Sequence, residues 1–205
     1  MGLSAERIKE DIDAVCLIEP QFARALGHSG YPETRILERG YTTLLRTIVG
    51  QQVSVAAANS VWNKLEAGLG AGCAAEAVVA AKDGSLRACG LSAQKQGYAR
   101  SLAELILSGR LLLDALPADD EEAIALLTQV KGIGRWSAEI YLLFAEGRSD
   151  IWPAGDLAVQ EAVKRILALP ERPAEKATRM LAEPWRPYRG AIAIFSWHCY
   201  NIKAI

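Results

Sequence analysis

The sequence predicts an all-α protein. Alanine supplies 34 of its 205 residues, apolar positions recur at the helical period in nearly every readable segment, and no alternating run is long enough for a strand. Ile8, Ile12 and Val15 form a first stripe that stops at Pro20, and Leu44, Leu45, Ile48 and Val49 form another that stops at Gly50. Ser54 is placed to cap a third helix carrying Val55, Ala58, Val61, Trp62 and Leu65, closed by Gly68 and Gly70. Short helices follow at 74–81 and 92–108. Asp119, with Glu122 three residues on, gives a capping-box-like start to a helix over 121–130. Gly132 and Gly134 then interrupt a pattern that resumes over 135–145, which reads as two helices joined by a very tight turn. A loop over 146–155 contains Pro153. The helix opening at Asp156 carries Val159, Ala162, Val163, Ile166 and Leu167 before Pro170, and the last two helices fall at 174–182 and 188–202. No repeat of solenoid length is present.

Composition narrows the functional classes. With 51% apolar and 23% charged residues, the chain can bury a core, so disorder is excluded. No apolar run approaches the roughly 20 residues of a membrane span, and residues 1–20 mix charge with apolar positions where a signal peptide would be apolar; the expectation is a soluble, cytoplasmic protein, nucleoid-associated if bacterial. Cys16, Cys73, Cys89 and Cys199 form no CxxC pair, and with two histidines in the chain a disulfide framework, a zinc site and an iron–sulfur cluster are disfavoured. The net charge of −1 is unevenly spread: residues 1–130 hold 12 basic and 16 acidic side chains, residues 131–205 hold 11 and 8. A local anion site in the C-terminal third is therefore allowed.

Two segments could carry chemistry. In Val130-Lys131-Gly132-Ile133-Gly134-Arg135, glycines one residue apart permit positive φ and close backbone approach, and the following helix start aims its N–H groups outward. Lys131 and Arg135 flank it with positive charge. Such a segment is either an ordinary helix–helix turn or a phosphate cradle. Asp156 is either a plain N-cap or a carboxylate whose place at a helix N-terminus lets it stabilise positive charge developing opposite it.

Taken together, these segments resemble a known family. Leu127-Thr-Gln-Val-Lys-Gly-Ile-Gly-Arg-Trp-Ser-Ala-Glu139, followed by Asp150-Ile-Trp-Pro-Ala-Gly-Asp-Leu157, resembles the helix-hairpin-helix and Gly/Pro…Asp motif (HhH-GPD) of the DNA glycosylase superfamily. Gly50-Gln51-Gln52-Val53-Ser54 and Pro184-Trp185-Arg186-Pro187-Tyr188-Arg189 resemble its 3-methyladenine DNA glycosylase II branch. The match runs from about Tyr41 to the C-terminus in consistent order. It implies two helical lobes, 41–149 containing the hairpin and 1–40 joined to 150–205 carrying the aspartate, with a substrate cleft between them. It also implies that Asp156 is catalytic and that the main chain of Gly132 and Gly134 meets phosphate, with Lys131, Arg135 and Ser137 beside them on the DNA. The carbonyls of Thr128, Val130 and Ile133 match those that hold a monovalent cation, Na+ or K+; no other cofactor is implied.

The resemblance carries a mechanism and a departure. Strand-cutting members place a nucleophilic lysine two residues after the second hairpin glycine, where this chain has Trp136, so a monofunctional enzyme using water is implied. An alkylated purine is cationic and leaves readily, and one carboxylate can stabilise the sugar cation and place the water. Trp136 is either a packing residue or an aromatic face for the flipped base, with Trp152, Tyr188 and Trp197 as further pocket candidates. Gln51 and Gln52 are the candidates for filling the hole left in the base stack, and equally for satisfying the turn's own backbone. Arg186 and Arg189 stand between a place near the cleft and a carboxylate partner. Trp62, Trp185, His28 and His198 read as packing or surface residues. The expected partner is duplex DNA containing alkylated bases, bound by a monomer. The alternatives are a glycosylase for deaminated or oxidised bases, and a non-catalytic hairpin module that binds damaged DNA; a carboxylate facing a sugar is what separates an enzyme from the latter.

Overall fold

The computed structural model describes residues 2–82 and 84–202, and none of these residues lies in a strand. In chain order the α-helices are α1 (Ala5–Ile18), α2 (Pro20–Ser29), α3 (Tyr41–Gly50), α4 (Val55–Leu69), α5 (Ala75–Ala80), α6 (Ser85–Ala88), α7 (Ala93–Leu107), α8 (Asp120–Leu127), α9 (Arg135–Tyr141), α10 (Leu157–Ile166), α11 (Glu175–Leu181) and α12 (Arg189–Ile202). The all-α reading of the sequence holds. Ser4, Ser54, Ser92, Asp119 and Asp156 each cap a helix through a side-chain oxygen that accepts from an amide of the first turn.

Three elements differ from the sequence reading. Pro20 both follows the end of α1 and opens α2, because a missing N–H costs nothing in a helix's first turn. The four-residue α6 carries too little periodicity to be read. The run expected as one helix over 135–145 leaves α geometry after Tyr141 and continues as a π-turn over Leu142–Glu146, closed by Gly147 in the left-handed region.

The chain forms two compact units, Met1–Leu37 with Glu139–Ile205, and Glu38–Ala138. The division read from the sequence placed the second boundary at 149/150, whereas residues 139–149 pack with the first unit. The amide of Leu37 donates to the Phe144 carbonyl at 2.9 Å, and the Phe144 and Trp197 rings stack at 5.7 Å.

In the first unit α1 packs on α2 and α12, and α10 on α11 and α12. Its aromatic centre is Trp185, met edge-on by Phe22 at 4.9 Å and by Trp152 at 5.5 Å. In the second unit α3 packs on α4 and α7, and α5 on α7. Trp62 is buried there with the Arg46 guanidinium 4.7 Å from its ring centre. These contacts confirm Trp62 and Trp185 as packing residues. No helix among the described residues is long and apolar enough to cross a membrane.

Candidate active site

The hairpin lies in the second unit, between α8 and α9. Its turn is closed by the Ile133 amide donating to the Val130 carbonyl at 3.0 Å, and the Ala138 amide makes the first helical bond, to Gly134, at 3.0 Å. The two glycines do different work. Gly132 has φ of +83°, and a Cβ there would lie 2.1 Å from a ring carbon of Tyr98. Gly134 needs no unusual φ and has open space where a Cβ would stand, so the protein itself does not require a glycine at 134. Something approaching from outside could.

The cations of this segment also divide. Arg135 reaches back across the turn to Glu121 with both terminal nitrogens, one at 2.8 Å, so its charge braces the hairpin. Lys131 is exposed, and its amide donates to the Ser101 hydroxyl at 3.1 Å. Ser137 is buried in the first turn of α9. Thr128, Val130 and Ile133 present neutral carbonyl oxygens with no carboxylate among them, a donor set whose hardness and lack of charge fit a monovalent cation.

The turn between α3 and α4 separates the two glutamines that the sequence left open. Gln51 is half-buried and its side-chain amide donates to the Gly132 carbonyl at 2.8 Å, tying this turn to the hairpin. Gln52 is exposed at the tip with φ of +54°, a left-handed backbone rare outside glycine.

Asp156 lies in the first unit. Its Oδ1 accepts from the amides of Ala158 at 2.8 Å and Val159 at 3.0 Å, which fixes the carboxyl on the N-terminus of α10. The strap of residues 149–155 leading to it is held at Ser149, Asp150 and Ala154. Arg189, buried, donates to Asp150 Oδ1 through Nε at 2.7 Å and to Oδ2 through Nη2 at 2.9 Å, and Arg186 Nη1 reaches the same Oδ2 at 2.7 Å. Both arginines also meet Glu183. Its hydrogen bond from Arg186 holds the Glu183 carboxyl below the usual carboxylate range. Gly190 donates to the Ser149 carbonyl at 2.7 Å, and a Cβ there would lie equally close to that oxygen. Gln160 Nε2 donates to the Ala154 carbonyl at 2.8 Å. The structure thus gives Arg186 and Arg189 carboxylate partners.

Among the aromatic candidates, Trp136 is 47% exposed on the first turn of α9. Trp152 is corrected: it is 2% exposed, its Nε1 donates to the Thr178 carbonyl at 3.0 Å and its ring meets Trp185, so it packs the core beneath the strap and offers no face to a base. Tyr188, just ahead of α12, and Trp197, on Phe144, are half-buried. Sequence reasoning missed Glu139 and Arg179, a buried carboxylate and its partner at 3.6 Å, with Arg179 also bound to Glu175 at 3.0 Å. It also missed Lys95, Tyr98 and Ser101, whose one signal is a polar stripe at helical spacing along α7.

Comparison with known proteins agrees with these features. The chain is 33% identical over 173 residues to a DNA-3-methyladenine glycosylase 1 of Schizosaccharomyces pombe, covering 82% of this chain and 76% of that one. The solved structure of a 3-methyladenine DNA glycosylase from Schizosaccharomyces pombe in complex with abasic DNA is similar, at 29% identity and a TM-score of 0.81, over 96% of this chain and 98% of that one. A DNA-3-methyladenine glycosidase from Bacillus halodurans aligns at 26% identity and a TM-score of 0.87, over 95% and 90%. Residues 45–187 match the family model described as HhH-GPD superfamily base excision DNA repair protein, and with the hairpin, the strap and the capped aspartate in place, the chain belongs to that superfamily.

Proposed function

We propose that this protein is a monofunctional DNA glycosylase that hydrolyses the N-glycosidic bond of alkylated purines in duplex DNA and begins their excision. The observation that carries the reading is Asp156: a carboxylate fixed at the N-terminus of α10 by two amides to Oδ1 and reached by a strap braced at Asp150 and Ala154. A module that only grips phosphate has no use for a braced negative charge.

The chemistry asks little of the protein. In an N3- or N7-alkylated purine the ring is already cationic, so the C1′–N bond breaks with its electron pair going to the base, which leaves neutral. Positive charge passes to the sugar, where the Asp156 carboxylate stabilises it. Water then adds at C1′ and loses a proton, giving an abasic site and a free base. Trp136 offers an aromatic face to the cationic base, Gln52 fills the gap in the stack, and the amides of Gly132 and Gly134 with Lys131 meet phosphate. The carbonyls of Thr128, Val130 and Ile133 would hold a monovalent cation that adds positive charge beside that phosphate. Trp136 stands where strand-cutting relatives carry lysine, which supports hydrolysis without strand cleavage.

Incubating the purified protein with methylated duplex DNA and separating the released bases tests the reading. Free 3-methyladenine or 7-methylguanine, absent with Asp156→Asn, is the expected result. Release by the Asn variant at the wild-type rate, or none by the wild type, would overturn it.

A further inference from the structure

The second unit contains an arrangement that the hydrolysis itself does not explain. Half-buried Lys95, Tyr98 and Ser101 follow one another at three-residue intervals along α7, and each holds a different part of the α3–α4 turn and the hairpin. Lys95 Nζ donates to the Val49 carbonyl at 2.7 Å, gripping the end of α3 just before Gln51. Burial lowers the pKa of that ammonium, so it is a partly desolvated anchor and no ordinary surface lysine. Tyr98 lays its ring against Gly132, where a Cβ would overlap it, and is itself held by Gln94. Ser101 Oγ accepts from the Lys131 amide at 3.1 Å. Gln51 closes the figure by donating to the Gly132 carbonyl at 2.8 Å. A carbonyl only accepts, so it is the amide nitrogen of Gln51 that must face it.

We propose that α7 acts as a ruler that fixes the interval between the Gln52 turn and the hairpin, and that Gln51, Lys95, Tyr98 and Ser101 are positioning residues for base extrusion. The proposal rests on the reading of Gln52 as the inserting side chain and of the hairpin as the phosphate contact. Extrusion requires a side chain to enter the stack at a set distance from a gripped phosphate. A turn free to shift by an ångström against the hairpin would hold DNA as well but fill the gap badly. The backbone of Gln52 is left-handed, a conformation that persists only where the surroundings support it, and the bonds of Lys95 to Val49 and of Gln51 to Gly132 hold the chain that leads into it.

The test uses the full chain and a duplex carrying a tetrahydrofuran abasic analogue beside 2-aminopurine, whose fluorescence reports insertion without any bond being cut. Gln51→Leu keeps the size of the side chain and removes its donor; Ser101→Ala removes an acceptor without harm to the helix and keeps the test available should the first variant fail to fold. Both should lower the fluorescence change, and should slow single-turnover release of methylated base by about tenfold or more, while affinity for undamaged duplex stays within about twofold. Gln51→Leu should cost nothing further in a chain already carrying Gln52→Ala, because it acts through that side chain. Wild-type insertion and release in both variants, or fully additive losses in the double variant, would overturn the inference. A wild-type chain that inserts but releases no base would sink the glycosylase reading and leave the ruler standing.

Discussion

Arg189 and Asp150 form a fork-to-fork pair in the first unit, Nε to Oδ1 at 2.7 Å and Nη2 to Oδ2 at 2.9 Å, and Nη2 also donates to the Asp150 carbonyl at 3.0 Å. The guanidinium therefore holds both the side chain and the backbone of the residue that begins the strap to Asp156. Arg189 is 7% exposed, so Asp150→Asn leaves a buried cation with its main partner weakened. A loss of about 3 kcal/mol in folding stability is expected, since the buried Arg189 then keeps as its counter-charge Glu183, which is itself largely exposed. Arg186→Ala, removing an exposed member of the same cluster, should cost under about 1 kcal/mol. Urea melts of the two variants check the contrast.

Asp156→Asn should keep the fold, because asparagine caps a helix as well as aspartate. Base release should fall by about 10²-fold or more, with DNA affinity unchanged or tighter. Rates and affinities measured on the same duplex decide the point, and a rate within a few-fold of wild type removes Asp156 from the chemistry.

The hairpin glycines should separate in experiment as they do in structure. Gly132→Ala drives a Cβ into Tyr98 and forces a left-handed backbone on alanine, so its melting temperature should drop sharply. Gly134→Ala meets nothing in the protein and should melt like the wild type, yet bind every DNA sequence more weakly. Lys131→Ala should reduce the salt dependence of binding by about one phosphate's worth. Unchanged affinity for both Gly134→Ala and Lys131→Ala would place the DNA contact elsewhere.

Trp136 cannot form an imine with a sugar. The wild-type protein should leave an intact abasic site that is cut only after alkali, and borohydride should trap no covalent adduct. Trp136→Lys should release base more slowly rather than become a strand-cutting enzyme, because it removes the aromatic face. An adduct with the wild type would identify an amine nucleophile and refute hydrolysis by water.

Asp11 on α1 is 2% exposed; Oδ1 pairs with Arg7 at 2.8 Å while Oδ2 has no partner. Burial raises its pKa above the usual carboxylate value, the reverse of a stabilising ion pair. The folded state thus binds this proton more tightly than the unfolded one. The contribution is most favourable below the ordinary carboxylate pKa and is lost as pH rises through the raised folded value. Asp11→Leu should therefore raise the melting temperature at pH 7, by about 1 kcal/mol in stability, and the gain should shrink as the pH is lowered to 4. Equal midpoints at both pH values would contradict this.

Helices, caps and the hairpin with its aspartate were legible in the sequence because each is local. Ser54, Asp119 and Asp156 stand next to the amides they satisfy, and a stripe such as Ile8, Ile12 and Val15 declares its buried face without help from the rest of the chain. The four ordered motifs fixed the family in the same way. What only the tertiary structure decided is which of several chemically similar residues meets which partner across a long stretch of chain. Gln51 and Gln52 are neighbours of one type, and a hydrogen bond to a carbonyl 81 positions away makes one a tie and leaves the other exposed. Trp152 and Trp136 are both tryptophans of the motif region, yet the Thr178 carbonyl and Trp185 bury the first. The boundary between units moved to 139 for the same reason, since Phe144 belongs with Leu37 and Trp197 by contact and with the hairpin only by sequence. Periodicity reports that a side chain is buried; only the packed structure supplies the atoms that bury it.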